Sequence, residues 1–270
     1  MSLPTVSIGG LEVSRVIIGG NPFSGFSHQS PRRDDEMRHY YTAERIKEEL
    51  RRAWEVGVTT NLARADHHII RVMMEHWDEG GRTRWIAQTC PSLGTAASCA
   101  RQAIRFGAAA CYVHGGQMDF MLANDRTDDA RQAVEIVREA GLPAGVAGHN
   151  PKVFDWAEEN LDVDFYMCSY YNPDDRSSHA AHVHGGPERY DPADRDAMTA
   201  RIAGLSRPVI HYKVFAAGRN DPREALAFVA EHLRPQDAVC VGICSQDHPD
   251  MLAEDVALLD EALRAVGKKL

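Results

Sequence analysis

The sequence predicts an α/β fold, a (β/α)8 TIM barrel with an N-terminal β-hairpin. Eight short apolar runs, often β-branched, alternate with amphipathic helical stretches along the chain. The runs tend to be followed by Gly, Asn, Pro or His, the pattern of a buried parallel strand that ends in a loop. Eight right-handed β/α units close a sheet on itself, and the chain provides roughly 34 residues per unit, which suits this fold. We therefore expect residues 1–270 to form one domain.

The strands follow in order from the first residues. Residues 5–13 place Gly9-Gly10 between two short β-prone stretches, which predicts a hairpin that plugs the bottom of the barrel. The eight barrel strands are predicted from the apolar runs at 16–18, 58–61, 85–88, 109–113, 144–147, 164–168, 208–212 and 238–243.

Helical periodicity and capping residues predict the helices between the strands. Apolar side chains share one face of 43–55, of 127–140 and of 221–233. Asn150-Pro151 supplies an N-cap followed by proline at the first helical position, so another helix is expected to begin there.

A doubly wound open sheet is the alternative architecture. In this chain no Gly-x-Gly-x-x-Gly follows a predicted strand, so that alternative lacks its usual phosphate-binding turn. The barrel also tells where function is expected, because the working residues of this fold lie at the C-terminal ends of the strands.

Composition and charge exclude several classes of partner. The chain has 30 Lys and Arg against 39 Asp and Glu, a formal charge of −9, which argues against nucleic acid or an anionic membrane. No apolar run approaches about 18 residues, and the first residues lack a signal-peptide pattern, so we expect a cytoplasmic protein with a small-molecule substrate. Six cysteines without a Cys-x-x-Cys pair predict free thiols. The oligomeric state stays open.

Polar side chains near the predicted strand ends form the candidate site. A lysine is costly to bury in an apolar strand, and a lysine near a barrel rim can serve as a base. Imidazole groups at the same rim are suited to proton transfer. The predicted catalytic residues are His114, Lys213 and His149. The predicted substrate-binding residues are Asn61, Arg64, Gln88, Tyr170, Asn172 and Tyr212.

The seventh strand is constrained by side-chain alternation. Successive residues of a strand face opposite sides of the sheet, so His211 and Lys213 are expected on one side and Tyr212 on the other.

A divalent transition metal has two candidate sites. The first takes one imidazole from each of three strand ends, which suits zinc; its ligands would be His114, His149 and His211. The second lies in the long loop 172–193, which is either a metal site or a mobile loop and carries His179, His182 and His184.

Motifs along nearly the whole chain resemble those of aldo-keto reductases. The stretch Gly-Leu-Glu-Val-Ser-Arg-Val-Ile-Ile-Gly-Gly, at 10–20, resembles the hairpin and first strand of that family. Further stretches resemble the second, fourth, sixth, seventh and eighth strands of the family, and they lie at 57–63, 112–114, 170–173, 212–218 and 241–245.

The resemblance implies a carbonyl-reducing site built from Asp, Tyr, Lys and His, and three of these four residues are replaced here. The positions of the family's Asp and Tyr hold Asn61 and Asp66, and the position of its Lys holds Thr89. Only the histidine, His114, is kept. The phenol that donates a proton to the carbonyl, and the lysine that lowers its pKa, are therefore missing from their usual places.

The resemblance also implies a dinucleotide cofactor. Ser245 and Glu254 match cofactor-binding positions of the family. After the eighth strand, however, no Arg or Lys occurs before Arg264 to meet a 2′-phosphate, so the charge pattern gives NADP little support. The clustered cysteines of the family's iron–sulfur-associated branch are missing too.

Three functions follow as hypotheses. The first is an enzyme that acts on a small carbonyl, polyol or sugar-derived substrate by elimination, epimerisation or aldol-type chemistry, with or without a metal. The second is an NAD(P)-dependent oxidoreductase with a rearranged proton relay, in which Tyr212 stacks on the nicotinamide and Tyr170 or Lys213 replaces the lost donor. The third is a non-catalytic ligand-binding barrel.

Overall fold

The computed structural model describes residues 3–182 and 188–270. In these ranges the strands are β1 (Thr5–Ile8), β2 (Leu11–Ser14), β3 (Val16–Gly19), β4 (Thr60–Arg64), β5 (Arg84–Gln88), β6 (Ala110–Val113), β7 (Ala144–Gly148), β8 (Phe165–Ser169), β9 (Val209–Tyr212) and β10 (Ala238–Gly242). The α-helices are α1 (Pro31–Tyr40), α2 (Ala43–Glu55), α3 (His67–Asp78), α4 (Ala96–Arg105), α5 (Gly115–Ala123), α6 (Asp128–Glu139), α7 (Pro151–Asn160), α8 (Pro192–Ile202), α9 (Pro222–His232) and α10 (Met251–Ala265).

The strands β3 to β10 form a closed parallel barrel. Each strand pairs with its neighbour in the chain, and β10 closes the ring against β3, with Val239 opposite Val16 and Gly242 opposite Gly19. The predicted (β/α)8 barrel is thereby confirmed. Closure in this order brings the C-terminal ends of all its strands to one rim, where loops from distant parts of the sequence meet.

The N-terminal hairpin is also confirmed. Strands β1 and β2 pair antiparallel, and Val6, Ile8 and Val13 pack with the side chains that fill the barrel interior. The turn needs Gly9, whose φ is +55° and whose Cβ position lies 2.8 Å from the Asp164 side chain, so a larger residue has no room.

Two hydrophobic layers hold the fold together. The inner layer fills the barrel and includes Leu62, Ile86, Tyr112, Phe165 and Ile210. The outer layer lies between the strands and the helices and takes the alternate residues of the same strands, such as Trp85, Tyr166 and Val209. A side chain's layer therefore tells whether it faces the barrel axis or the helices.

Two helices depart from the sequence prediction. Helix α1 lies between β3 and α2, where no helix was predicted; few of its side chains are buried, among them Met37, so its apolar periodicity is weak. Ser30 caps it by accepting a hydrogen bond from Arg33 N–H. Helix α5 begins with Gly115-Gly116, which are poor helix formers, so propensity gives no signal for it.

Two further observations concern the apolar character of the helices and the state of the cysteines. Among the described residues, no helix has the length and apolar character needed to cross a membrane. All six cysteines lie in the described ranges and are buried free thiols, as predicted.

Candidate active site

The candidate site lies at the rim formed by the C-terminal ends of the strands. His114 follows β6, His149 follows β7, and Tyr212 is the last residue of β9. The chain then turns sharply at Lys213, which has a left-handed φ of +56°. These four side chains come from three strands, and electrostatic interactions link His149 with His114, Tyr212 with Asp119, and Lys213 with both histidines.

His149 is oriented by a carboxylate from α5. Its Nδ1 lies 2.7 Å from Asp119 Oδ2, and the same carboxylate accepts hydrogen bonds from the backbone N–H groups of His149 and Asn150. A carboxylate beside Nδ1 places the proton there, so Nε2 carries the lone pair. Burial lowers the pKa of His149, and Asp119 opposes the shift without overcoming it.

His114 has the opposite tautomer. It is the N-cap of α5, and its Nδ1 accepts a hydrogen bond of 3.2 Å from Gln117 N–H. Because Nδ1 is the acceptor, the proton of the neutral ring is on Nε2, which becomes a donor. Burial, followed by the proximity of His149 and Arg64, holds the pKa of His114 well below its ordinary value and keeps the ring neutral.

Thr89 supports His114 from the neighbouring strand end. Its Oγ1 accepts a hydrogen bond of 2.9 Å from His114 N–H and donates one of 3.0 Å to Gln117 Oε1. Thr89, which stands where aldo-keto reductases have a lysine, therefore helps to position His114 and Gln117 at the start of α5.

Tyr212 faces the barrel axis and joins the histidine. Its hydroxyl lies 3.3 Å from His149 Nε2 and 3.5 Å from Gly148 O. At Gly115 a Cβ would lie 2.8 Å from the Tyr212 hydroxyl and 3.1 Å from His149 Cε1, so only glycine fits beside this pair. Asp119, His149 and Tyr212 form a hydrogen-bonded chain that ends in a phenol at the rim.

Lys213 lies on another side of the rim, against residues of two long loops. Its Nζ is 3.1 Å from His28 Nε2, and His28 Nδ1 is 2.7 Å from Glu188 Oε1. Burial lowers the pKa of Lys213 to about 8, although the charge of Glu188 opposes the shift. The left-handed backbone at Lys213 breaks strand alternation, so the expected pairing of His211 with Lys213 on one side is wrong.

Arg64 and Gln88 lie on the inner face of β4 and β5, in the register of Leu62 and Ile86. The Arg64 guanidinium stacks over the Phe26 ring at 4.6 Å and donates to Asp66 and Ser92. Asp66, at the position of the family's tyrosine, caps α3 through Ile69 N–H. Asn172 lies in the loop after β8, and its N–H donates to Asp194 on α8.

Three predicted site residues point away from the barrel interior instead. Asn61 faces α3, where its Nδ2 lies 3.6 Å from Met73 Sδ. Tyr170 and His211 face the helices and bond each other, with Tyr170 Oη 3.0 Å from His211 Nδ1. The sequence could not distinguish these residues from the inward ones, because both faces of a barrel strand are buried.

The expected metal site of His114, His149 and His211 is not formed. His211 is fully buried on the outer side of β9, and its Nε2 lies 3.2 Å from Asp237 Oδ2 while Nδ1 meets Tyr170. Asp237 is also bonded by Arg234. Both nitrogens of His211 are therefore occupied in a structural network. Of the histidines in loop 172–193, His184 lies outside the described residues.

Ser245 and Glu254, the residues expected to bind the cofactor, make contacts within the protein. Ser245 is buried, its N–H donates to Tyr41 Oη at 3.0 Å, and its hydroxyl meets Tyr40 and Tyr41. Glu254 is exposed and pairs with His248. Arg33 reaches this rim from α1, where it is paired with Asp247.

The sequence prediction missed Asp119 and Glu188 as site residues, and it placed His28 in the long loop after the first barrel strand without giving it a role. Asp119 lies on a helix without amphipathic periodicity, and the other two lie in long loops whose path no local pattern fixes. One signal did exist for Asp119, because it lies near the start of the helix that follows β6, and the helix starts lie close to the C-terminal ends of the barrel strands.

Known structures share this fold at low identity. A Pseudomonas aeruginosa protein provisionally described as an aldo-keto reductase is 17% identical, covers 96% of this chain and 95% of its own, and gives a TM-score of 0.62. A truncated 3-deoxy-D-arabino-heptulosonate 7-phosphate synthase from Thermotoga maritima is 10% identical over 99% and 95%, with a TM-score of 0.59. The 7,8-dihydropteroate synthase of Vibrio fischeri is 8% identical over 98% of both chains, with a TM-score of 0.56.

Sequence comparisons add no closer relative. No family model matches the chain, and no curated protein matches it. Identities this low establish the fold alone. The chain is a TIM barrel that resembles aldo-keto reductases and other barrel enzymes in fold.

Proposed function

We propose that this barrel is a lyase or isomerase that removes a proton from the carbon next to a carbonyl. The substrate would be a small carbonyl, polyol or sugar-derived compound, and the reaction an elimination, epimerisation or aldol-type cleavage. Each of these passes through an enolate and needs a hydrogen-bond donor for the carbonyl oxygen. In elimination and epimerisation a base takes the C–H proton, whereas in aldol cleavage the base takes the proton of the β-hydroxyl group and the C–C bond breaks to give the enolate.

The complementary tautomers of His149 and His114 carry this proposal. Asp119 leaves His149 with a lone pair on Nε2, whereas the cap hydrogen bond from Gln117 N–H leaves His114 with a proton on Nε2. One ring can therefore accept a proton and the other can donate a hydrogen bond without either changing its charge beforehand. Both rings follow neighbouring strands, β6 and β7, at one rim.

The proposed step moves one proton and one electron pair. His149 Nε2, directly or through the Tyr212 hydroxyl 3.3 Å away, takes the proton from carbon. The electrons of the C–H bond form a C=C bond, and the carbonyl oxygen becomes an enolate oxygen held by His114 Nε2–H. Asp119 then stabilises the imidazolium of His149, because its carboxylate lies on Nδ1.

The charges around the rim favour this step. Lys213 and Arg176 act on both histidines, and their positive charge lowers the pKa values of both rings. The same positive charge stabilises a negative oxygen that forms between them. A buried site strengthens these interactions, since water does not screen them.

Hydrogen exchange tests the proposal. Dihydroxyacetone, D-fructose and pyruvate are incubated with the enzyme in D2O, and loss of the hydrogen next to the carbonyl is followed by proton NMR. We expect enzyme-dependent exchange with at least one probe, lost in His149→Gln and reduced in His114→Gln. His68→Gln is the matched control, because His68 is exposed on α3.

Two outcomes would count against the proposal. Hydrogen exchange at the wild-type rate in His149→Gln would show that His149 is not the base. NADPH oxidation by the same carbonyls, with the neighbouring hydrogens retained in D2O, would favour the oxidoreductase.

A further inference from the structure

A group of metal-ligating side chains lies beside the candidate site, outside the proton-transfer residues. His28 belongs to the loop after β3, and His182 and Glu188 belong to the loop after β8. One ligand atom from each residue lies within 4.8 Å of the other two, and in the described part of the chain no other group of His, Cys, Asp and Glu meets this test. The three residues come from two loops, and His28 is 160 positions from Glu188 in sequence, so only the closed barrel brings them together.

Both imidazoles present the same nitrogen to one carboxylate oxygen. His28 Nδ1 lies 2.7 Å and His182 Nδ1 lies 3.4 Å from Glu188 Oε1. The two rings meet edge to face, with centroids 4.6 Å apart. Ligands of a tetrahedral zinc ion lie about 3.4 Å from one another when each bond is about 2.1 Å. His182 Nδ1 and Glu188 Oε1 already have that separation. The distance between His28 Nδ1 and Glu188 Oε1 needs to increase by less than an ångström.

We propose that His28, His182 and Glu188 bind one divalent transition-metal ion of the zinc type. Two imidazoles and one carboxylate suit zinc or iron(II), and they leave coordination positions open for water or a substrate oxygen. The ion would replace the proton that His28 Nδ1 shares with Glu188, and the carboxylate would neutralise part of its charge. The site shares His182 with the metal site predicted in loop 172–193, but its other ligands are His28 and Glu188.

The surroundings of these three residues are those of a preformed metal site. The side chains are only 10%, 11% and 8% exposed in the order His28, His182 and Glu188. Tyr190 Oη donates a hydrogen bond of 2.9 Å to Glu188 Oε2, the oxygen that the imidazoles leave free. The Phe26 ring packs edge-on against His182. Metal ligands are usually oriented by such outer contacts.

Lys213 opposes metal binding and thereby provides a test. Its Nζ contacts His28 Nε2, the nitrogen that faces away from Glu188. A protonated lysine there donates to Nε2, keeps the proton of His28 on Nδ1, and adds a like charge near the ion. Removal of this amine should free Nδ1 for the metal. We therefore expect Lys213→Met to bind zinc more tightly than the wild-type protein does.

Zinc titration of the full chain measures the site. Protein stripped with a chelator is titrated with ZnCl2 in competition with a chromophoric zinc indicator. We expect one equivalent per chain, at least about tenfold weaker binding in His28→Ala and His182→Ala, and tighter binding in Lys213→Met. His179→Ala is the matched control, since His179 lies in the same loop outside the group and should leave the affinity unchanged.

Further measurements keep the result decisive. Circular dichroism checks that each variant is folded, and Glu188→Gln, which keeps the size of the side chain, replaces any alanine variant that is not. No zinc binding up to millimolar concentration would overturn the proposal. The proposal would also be overturned if His28→Ala and His182→Ala left the zinc affinity unchanged and His184→Ala abolished zinc binding. Because this readout needs no substrate, it stands independently of the exchange assay.

Discussion

Asp119 Oδ2 lies 2.7 Å from His149 Nδ1, and the two residues reach each other from α5 and from the end of β7. The contact determines which nitrogen of His149 is free. It also joins a helix that begins with two glycines to the rim of the barrel. The proposed proton transfer depends on this contact, because it determines which nitrogen of His149 can accept a proton.

Replacement of Asp119 by Asn should change the tautomer of His149. An amide Nδ2–H donates to Nδ1, so the imidazole proton moves to Nε2 and the base is lost. We expect the hydrogen-exchange rate to fall by about 10²- to 10⁴-fold, the usual contribution of a positioned acid–base group. Proton NMR in D2O measures the rate. A change of less than threefold in a folded variant would show that Asp119 does not determine the proton position.

Thr89→Val should uncouple His114 from the start of α5. The substitution keeps the size of the side chain but removes the hydroxyl that accepts from His114 N–H and donates to Gln117. Loss of these buried hydrogen bonds should lower the free energy of unfolding by about 1–3 kcal/mol. Urea unfolding measures it. Thr95→Val, at the exposed N-cap of α4, is a control that removes one cap hydrogen bond from a different helix.

Gly115→Ala should disturb His149 through Tyr212. The new Cβ would lie 2.8 Å from the Tyr212 hydroxyl, which must move. A displacement of about 1 Å in a catalytic group lowers activity by about 10²-fold. In the Tyr212→Phe background the hydroxyl is gone, so Gly115→Ala should lower the exchange rate much less. Equal losses in both backgrounds, measured as a double-mutant cycle of exchange rates, would contradict this coupling.

Acid should destabilise the protein partly through His211. Burial lowers the pKa of His211, so the folded chain excludes a proton that the unfolded chain binds below its ordinary value of about 6.5. The contribution of His211 is therefore present above pH 6.5 and is lost as the pH falls, by at most about 1.4 kcal/mol per pH unit. Urea unfolding at pH 7.5, 6.5 and 5.5 measures the slope. His211→Gln should make that slope shallower, and an unchanged slope would contradict the assignment.

The barrel strands were predictable because parallel strands buried on both faces are short, apolar and β-branched. The run at 85–88 agrees with β5 (Arg84–Gln88) to within one residue. The same burial explains why site prediction was weaker. Tyr170 follows one apolar strand and Tyr212 ends another. Tyr170 nevertheless faces the helices and Tyr212 faces the barrel axis, and hydrophobicity alone does not separate the two faces.

The remaining site residues depended on features that local patterns do not encode. Lys213 reaches the rim because its backbone adopts φ +56°, which strand alternation does not predict for a non-glycine residue. His28 and Glu188 meet only when two long loops pack on each other. His114, His149, Tyr212 and Lys213 were nevertheless named from their places after apolar runs, and the structure brings them to one rim.

The most direct test of the central claim is the protonation of two ring nitrogens. Nitrogen-15 correlation spectra of the histidine rings at pH 7, assigned with His149→Gln and His114→Gln, report which nitrogen of each ring carries the proton. We expect no proton on Nε2 of His149 and none on Nδ1 of His114, with both rings neutral. The same tautomer in both rings, or a protonated imidazolium at either position, would contradict it.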